Sequence, residues 1–352
     1  MDYDFFKPLL FKLEPENAHR LVEFSLRALN AFYPGGLSLL AHKYIFSDEA
    51  LKQNLLGLEF ANPVGLAGGF DKNATMLRGL AALGFGFLEC GTLTPRAQEG
   101  NEKPRLFRLT SQESLQNAMG FNNDGGEKIA SRLAKIHPFV LPLGANIGKN
   151  KDTSHEAALE DYLGLLRTFK HLCDYFVINI SSPNTQNLRA LQNDGFLSDL
   201  LEEARKISSV PVLIKIAPDM PVPEAIKLCQ NAIEKGASGF IIANTSTDYS
   251  LLDTPRTFGG LSGRLIAKKS GIFFENLARE LFGKTLLIAS GGIDSAQEAW
   301  GRIKSGAHLV QIYTGLVFRG PGLVRRINEG LAVLLKKEGF LHLSEAVGVN
   351  LR

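Results

Sequence analysis

Eight short apolar runs recur along this chain, each separated from the next by enough residues to hold a helix. They occupy positions 62–69, 85–92, 140–148, 175–181, 211–217, 239–245, 285–292 and 309–315. The segments between them carry helical spacing. Leu197, Leu200, Leu201, Ala204 and Ile207 line one such face, with Glu202, Glu203 and Arg205 turned away. Another segment has Pro223 in its first turn and stops at Gly236. Strands that are continuously apolar, rather than alternating, are buried on both faces, and parallel strands need crossover helices. Eight such units predict an α/β fold, a (β/α)8 TIM barrel with an N-terminal helical extension. The span 62–315 matches the roughly 250 residues typical of that barrel. An open doubly wound sheet ranks well below it, because no Gly-x-Gly-x-x-Gly follows the first strand.

Polar residues fall where these strands end: Asp71 and Lys72, Thr92, Asn146, Asn179 and Ser182, Lys215, Asn244 and Thr245, Gly291 and Gly292, Tyr313 and Thr314. In a barrel those ends converge on one mouth, which is where active sites form. Turn chemistry accounts for a single Thr or Gly at such a point. It does not account for Lys215 inside "LIKIA", since lysine is rarely buried without a partner. Nor does it account for several asparagines entering one cavity. "SGGID", after the seventh strand, stands at the usual barrel phosphate site, where backbone N–H groups near a helix start can hold a dianion. Asp71 is read as a cap or salt-bridge residue.

Several function classes are excluded at this level. The net charge is +3, with no basic run carrying interleaved aromatics, so no nucleic-acid partner is expected. Cys90, Cys173 and Cys229 form no Cys-x-x-Cys pair, so neither a disulfide framework nor a metal site is expected, and a reducing cytoplasm fits best. The start "MDYDFFKPLLFKLEPENAHR" has acids where a signal peptide has basic residues. No run of about 18 apolar residues exists to span a bilayer.

The motifs "GLAGGFDKN", "ECGTLTPRAQEGNEKPRLFRL", "NAMGFNNDG", "GANIGKN", "NISSPNT", "VLIKIAPD", "GGLSGR", "SGGI" and "VQIYTGLVFRGP" together resemble the dihydroorotate dehydrogenase family over nearly the whole chain. The resemblance implies an FMN-containing barrel that oxidises dihydroorotate to orotate in pyrimidine biosynthesis. Class 1 of that family uses a cysteine base and class 2 a serine. No cysteine lies between Cys173 and Cys229, so Ser182 points to class 2, which is membrane-associated and passes electrons to a quinone. On the same resemblance, Ser182 is the catalytic base. Lys72, Asn117, Met119, Gly120, Phe121, Asn179, Asn184, Asn244 and Thr245 bind substrate. Gly68, Gly69, Lys72, Thr92, Asn146, Asn179, Lys215, Gly263, Gly292, Tyr313 and Thr314 bind FMN. His19 and Arg108 line a quinone passage, with Tyr313 near its inner end. Where relatives often read "ATNTT", this chain has "IANTST", so Ala243 offers no side-chain hydrogen bond. Ser181 receives no task. The polar loop 181–193 is expected to close over the substrate, with Gly195 as its hinge. A different FMN barrel acting on a nucleic-acid base is the second reading, opposed by the absence of a basic face; a non-catalytic nucleotide-binding barrel is the third.

Residues 1–45 are read as a separate helical module and 46–352 as the catalytic barrel. Glu16, Arg20, Glu23, Arg27 and Asn30 recur at helical spacing, with Ala18, Leu21, Val22, Leu26, Leu29 and Phe32 between them. Phe5, Phe6, Leu9, Leu10, Phe11 and Leu13 make the preceding stretch unusually apolar. From the residues alone this is a helical cap packed on the barrel. The resemblance instead implies a hood on the cytoplasmic face of the inner membrane, attached peripherally, through which a quinone enters.

Overall fold

A computed structural model describes residues 3–33, 35–185, 188–253 and 256–352. Its centre is a closed barrel of eight parallel strands. In chain order these are β1 (Val64–Asp71), β2 (Phe87–Leu93), β3 (Leu143–Ile147), β4 (Tyr175–Asn179), β5 (Val212–Ile216), β6 (Gly239–Ile242), β7 (Leu286–Ser290) and β8 (Leu309–Ile312). Each pairs with its sequence neighbour, and β8 closes the ring on β1, with Val310 opposite Val64. All eight expected strands are therefore present: β1 and β2 start two residues later than expected and run one or two residues further, and the other six lie within the expected runs.

Two apolar cores hold the barrel. The larger lies between strands and surrounding helices, and includes Leu66, Leu88, Ile147, Ile178, Ile214, Ile242, Leu287 and Val310. The smaller plugs the barrel floor with Phe87, Tyr175, Val177, Leu213, Ile241, Leu286, Ile288 and Leu309, closed from below by Phe60. Phe60 belongs to a short hairpin, Gln53–Leu55 with Leu58–Phe60. Strand side chains alternate between faces, so the residue two positions beyond each plug residue also points inward. Beyond the plug itself those residues are Glu89, Asn179, Lys215, Ser290 and Gln311, all polar, and Ala243. One strand period thus converts an apolar plug into a polar layer directly above it.

A three-stranded antiparallel sheet roofs part of the mouth: Leu106–Leu109, Ser114–Asn117 and Gly260–Gly263. Sequence patterning does not reveal it, because its strands are only four residues long and its pairing joins distant parts of the chain.

Three helices precede the barrel: α1 (Tyr3–Lys12), α2 (Pro15–Phe32) and α3 (Gly36–Tyr44). The α2 bounds agree with the sequence pattern, but the packing differs from that of a simple cap. Some polar residues of α2 face the protein together with Ala18 and Leu26, while Arg20, Arg27 and Asn30 are exposed. Glu16 forms a two-point ion pair with Arg105 at 3.0 and 3.1 Å, and Glu23 accepts the Thr75 hydroxyl at 2.7 Å. Leu26 packs inward beside Gly79. Several large apolar side chains are left outside, notably Phe5 at 75%, Leu9 at 65%, Phe24 at 68% and Phe32 at 83% exposure. Among the described residues no helix is long and apolar enough to cross a membrane.

Candidate active site

The polar layer opens into a cleft enclosing about 1050 Å³, part of it open to solvent. Gly68, Gly69, Lys72, Thr92, Asn117, Met119, Gly120, Phe121, Asn179, Ser182, Asn184, Lys215, Asn244, Thr245, Gly263, Gly292, Tyr313 and Thr314 all line it. The residues expected from sequence thus meet on one surface, with three exceptions. Asn146 stands just behind that wall, and His19 and Arg108 lie elsewhere.

A chain of side-chain hydrogen bonds crosses the cleft floor. Asn146 Nδ2 donates to Glu89 Oε1 at 2.6 Å, and Asn146 Oδ1 accepts from Thr92 Oγ1 at 2.5 Å and Asn179 Nδ2 at 3.2 Å. Asn179 Nδ2 also reaches Thr92 Oγ1 at 2.9 Å. Asn244 Nδ2 donates to Asn179 Oδ1 at 3.2 Å and to Ser181 Oγ at 2.9 Å. Ser181 therefore has a task after all, as the fully buried anchor of Asn244. Above the floor, Asn184 Nδ2 donates to Asn117 Oδ1 at 2.9 Å.

Ser182 is buried, and its Oγ accepts the Asn184 backbone N–H at 3.2 Å. Pro183 stands between them in the turn that makes this contact. Within the loop 181–193, Gln186 and Asn187 lie outside the described residues. Leu188 and Leu191 are fully buried. Arg189 donates to Ser181 O and Thr245 O at 3.0 Å each, and pairs with Asp219 at 3.0 Å. The loop is thus tied across the mouth. Gly195 lies in the first turn of helix Asp194–Ile207, so the expected hinge position is inside a regular element.

Two lysines give the cleft its positive charge. Lys215 is 5% exposed, with Nζ 4.0 Å from Glu89 Oε1. Lys72 is held down to about 8, because burial disfavours its charge; Arg105 adds to this, while Glu16, Asp71 and Glu23 oppose it. Asp71 is a cap, as expected: its carboxylate accepts from the backbone N–H groups of Asn73, Thr75 and Met76.

The cleft also has features fitted to a phosphate-bearing ring cofactor. Gly263, Gly291 and Gly292 line one end, with φ of +94°, +102° and +78°. Among the cleft-lining residues, Gln311 Oε1 and Asn184 Oδ1 are buried acceptors without a protein partner. Gly68 keeps the wall thin, since a Cβ there would collide with Glu89 Oε1.

A second cavity of about 790 Å³, part of it open to solvent, shares Lys72, Leu106, Met119 and Tyr313 with the first. It runs under α2, past His19 and Phe70. His19 meets the Phe70 ring edge-on at 5.0 Å, and Phe70 meets Tyr313 at 5.3 Å. Burial, reinforced by Lys72, holds His19 down to about 4, and burial pushes Tyr313 up to about 12. Both are neutral at ordinary pH, so these three rings form an uncharged row. Arg108 does not line this cavity. It pins the α1–α2 junction, donating to Leu13 O at 2.7 Å with its guanidinium 4.7 Å from the Phe11 ring centre.

Glu89, behind the cleft wall, and Gln311, which lines the cleft, are polar residues of this layer that sequence reading missed. The signal for Glu89 was present: an acid inside "FLECG" is as anomalous as the lysine inside "LIKIA".

The dihydroorotate dehydrogenase family model matches residues 50–335. A protein of a Nitratiruptor species, named dihydroorotate dehydrogenase (quinone), is 54% identical over 352 residues, covering all of both chains. One of a Sulfurovum species, with the same name, is 52% identical over 348 residues, covering 99% of this chain and 98% of that one. The crystal structure of the Eimeria tenella enzyme in complex with ferulenol superposes with a TM-score of 0.83 at 33% identity, covering 96% of each chain. Its ligand-free form gives 0.82 at 35% identity, over 90% of this chain and 98% of that one. Barrel, cleft and relatives together define a flavoenzyme oxidoreductase. The chain belongs to the dihydroorotate dehydrogenase family, and its full-length relatives carry the quinone-dependent name.

Proposed function

We propose that the chain oxidises dihydroorotate to orotate with FMN as cofactor, and passes the electrons to a membrane quinone. The observation that carries this reading is the shared wall: Lys72, Leu106, Met119 and Tyr313 separate the Ser182 cleft from a second cavity that leads out under α2. One cleft serves substrate and cofactor; the other admits the second substrate.

Ser182 Oγ takes the proton from the substrate carbon. A serine is a weak base near neutral pH, but the Asn184 N–H aimed at Oγ stabilises the negative charge that builds as the hydroxyl proton leaves and the substrate proton takes its place. Thr185 Oγ1 is buried without a partner three residues further on, and supports a relay that carries the proton away from Ser182. Asn117, Asn179, Asn184, Asn244 and Thr245 hold the ring, whose alternating N–H and C=O groups suit amides that both donate and accept. Met119, Gly120 and Phe121 close one side. FMN held there would supply hydride-accepting and electron-releasing chemistry. Gly263, Gly292 and Thr314 would hold its phosphate, Gly68, Gly69, Thr92, Asn179 and Tyr313 its ring system, with Asn146 steadying Thr92. Lys215 would offset negative charge on the reduced ring.

Lys72 supplies the positive charge for the substrate carboxylate, which gives a pH signature. Its charge is present below about 8 and is lost above it. The KM for dihydroorotate is therefore expected to stay flat below that pH and to rise about tenfold per unit above it. A KM unchanged to about pH 9.5, well past that titration, removes Lys72 from that role.

Residues 1–45 form the entry module in this reading, resting peripherally on the cytoplasmic face of the inner membrane. Its support is the outward-facing Phe5, Leu9, Phe24 and Phe32. Changing Phe5 and Leu9 together to Ser removes about 3 kcal/mol or more of lipid-buried apolar contact. Vesicle binding is expected to weaken about a hundredfold, with unchanged turnover on a soluble dye acceptor. Vesicle binding that the two substitutions leave unchanged refutes the membrane role.

The whole reading is tested by redox titration of the purified protein. Dihydroorotate should bleach its flavin absorbance, and a quinone, but not fumarate or NAD, should restore it. A colourless protein, or one that dihydroorotate leaves oxidised, sinks it.

A further inference from the structure

Beneath the cleft lies a carboxylate that none of these steps uses. Glu89 is fully buried on β2, one inward position above Phe87. Both its oxygens are occupied by amide donors: Oε1 accepts from Asn146 Nδ2 at 2.6 Å, and Oε2 from Gln311 Nε2 at 2.5 Å. Lys215 Nζ stands 4.0 Å from Oε1. A buried ion pair of this kind is weak evidence for stability, since an apolar replacement is often no worse. What this one does for the site is visible in the direction of the hydrogen bonds.

A carboxylate only accepts. A primary amide has one end of each kind, so an isolated asparagine fits a neighbour either way round. Glu89 removes that freedom from Asn146, whose nitrogen must face it and whose oxygen must face Thr92 and Asn179. Asn179 then turns its nitrogen toward Asn146 and its oxygen toward Asn244. Asn244 turns its nitrogen toward Asn179 and Ser181, and the Thr245 N–H to Asn244 Oδ1 at 2.9 Å agrees with that sense. On the other side, Gln311 spends its nitrogen on Glu89 and leaves Oε1 as a buried acceptor without a protein partner.

We infer that Glu89 is a positioning residue. It sets the donor–acceptor sense of Asn146, Asn179, Asn244 and Gln311, and it offsets the charge of Lys215. The inference rests on the dihydroorotate and flavin reading above. Pyrimidine selectivity then depends on a residue that touches neither substrate nor cofactor, because the amides can recognise alternating groups only if none is inverted.

Glu89→Gln tests this with nearly unchanged shape. Glutamine can present either end to Asn146, so both senses of the amide chain become available. In the Glu89→Gln holoenzyme, orotate, titrated by its perturbation of the flavin spectrum, should bind about tenfold more weakly, the scale of one lost hydrogen bond. The flavin midpoint potential should become more positive, because Lys215 is no longer offset. A merely structural role would not produce that shift. An orotate dissociation constant within about threefold of the parent's, or an unmoved potential, overturns the inference and leaves the proposed function standing. A parent protein without flavin would instead refute the function. Neutron diffraction of the unsubstituted holoenzyme reads the same feature without a variant. Deuterons on an Asn146 nitrogen facing a bare Glu89 oxygen support it; a deuteron on Glu89 shared with Asn146 Oδ1 overturns it.

Discussion

Ser182→Ala is expected to slow flavin reduction by dihydroorotate about 10²- to 10⁴-fold, the usual contribution of a positioned general base. Orotate affinity should stay within about twofold, because the ring is held by asparagine side chains whose hydrogen bonds to one another do not pass through Ser182, which meets Asn184 only at its backbone N–H. Rapid mixing under anaerobic conditions separates these quantities. Reoxidation by quinone should match the parent, since the second cavity does not include Ser182. The pattern is specific: a collapsed site would lose all three properties. Ser182→Cys should recover part of the rate, increasing with pH as thiolate forms. Full reductive activity in the alanine variant removes Ser182 from the base role.

How much of this was legible in the sequence follows from the distance over which each feature is determined. The barrel strands were legible because burial on both faces is written into each run locally. The strand-end residues were legible because the barrel topology carries every strand end to one mouth. Ser181 was not, because its function depends on Asn244, which comes from another strand end. Glu89 could have been found by the reasoning that singled out Lys215, but attention to strand ends passed over an acid in mid-strand. The orientation of α2 was not legible for a different reason. Amphipathic spacing says that two faces differ, but not which one meets the protein. Here Glu16 and Glu23 have partners on the barrel in Arg105 and Thr75, while Phe24 and Phe32 turn outward. Gly195 was expected to be a hinge because glycine often is, but Asn193 caps the helix before it, accepting the Phe196 N–H at 3.0 Å.

Gly292→Val is expected to yield a protein that purifies without its flavin. Two independent costs meet at this position. The backbone is in the left-handed region, with φ at +78°, which costs an L-residue about 1–2 kcal/mol and a β-branched one more. A Cβ there would also collide with the Ala267 Cα and stand 2.9 Å from the Ala267 N, both backbone atoms that no rotamer change can move aside. Overpacking of this kind adds about 1–3 kcal/mol. If the loop relieves both by swinging away from helix Ala267–Leu281, the N–H groups offered to the phosphate turn with it. A loss of about 2–5 kcal/mol weakens cofactor binding by thirtyfold to several thousandfold. The measurement is FMN titration into the apoprotein, followed by the quenching of flavin fluorescence. Riboflavin serves as the control. It lacks the phosphate, so its affinity should hardly differ between parent and variant, and the advantage of FMN over riboflavin should shrink. An equal drop for both ligands would place the damage in the ring-binding part of the cleft, and would contradict the assignment of this glycine turn to the phosphate.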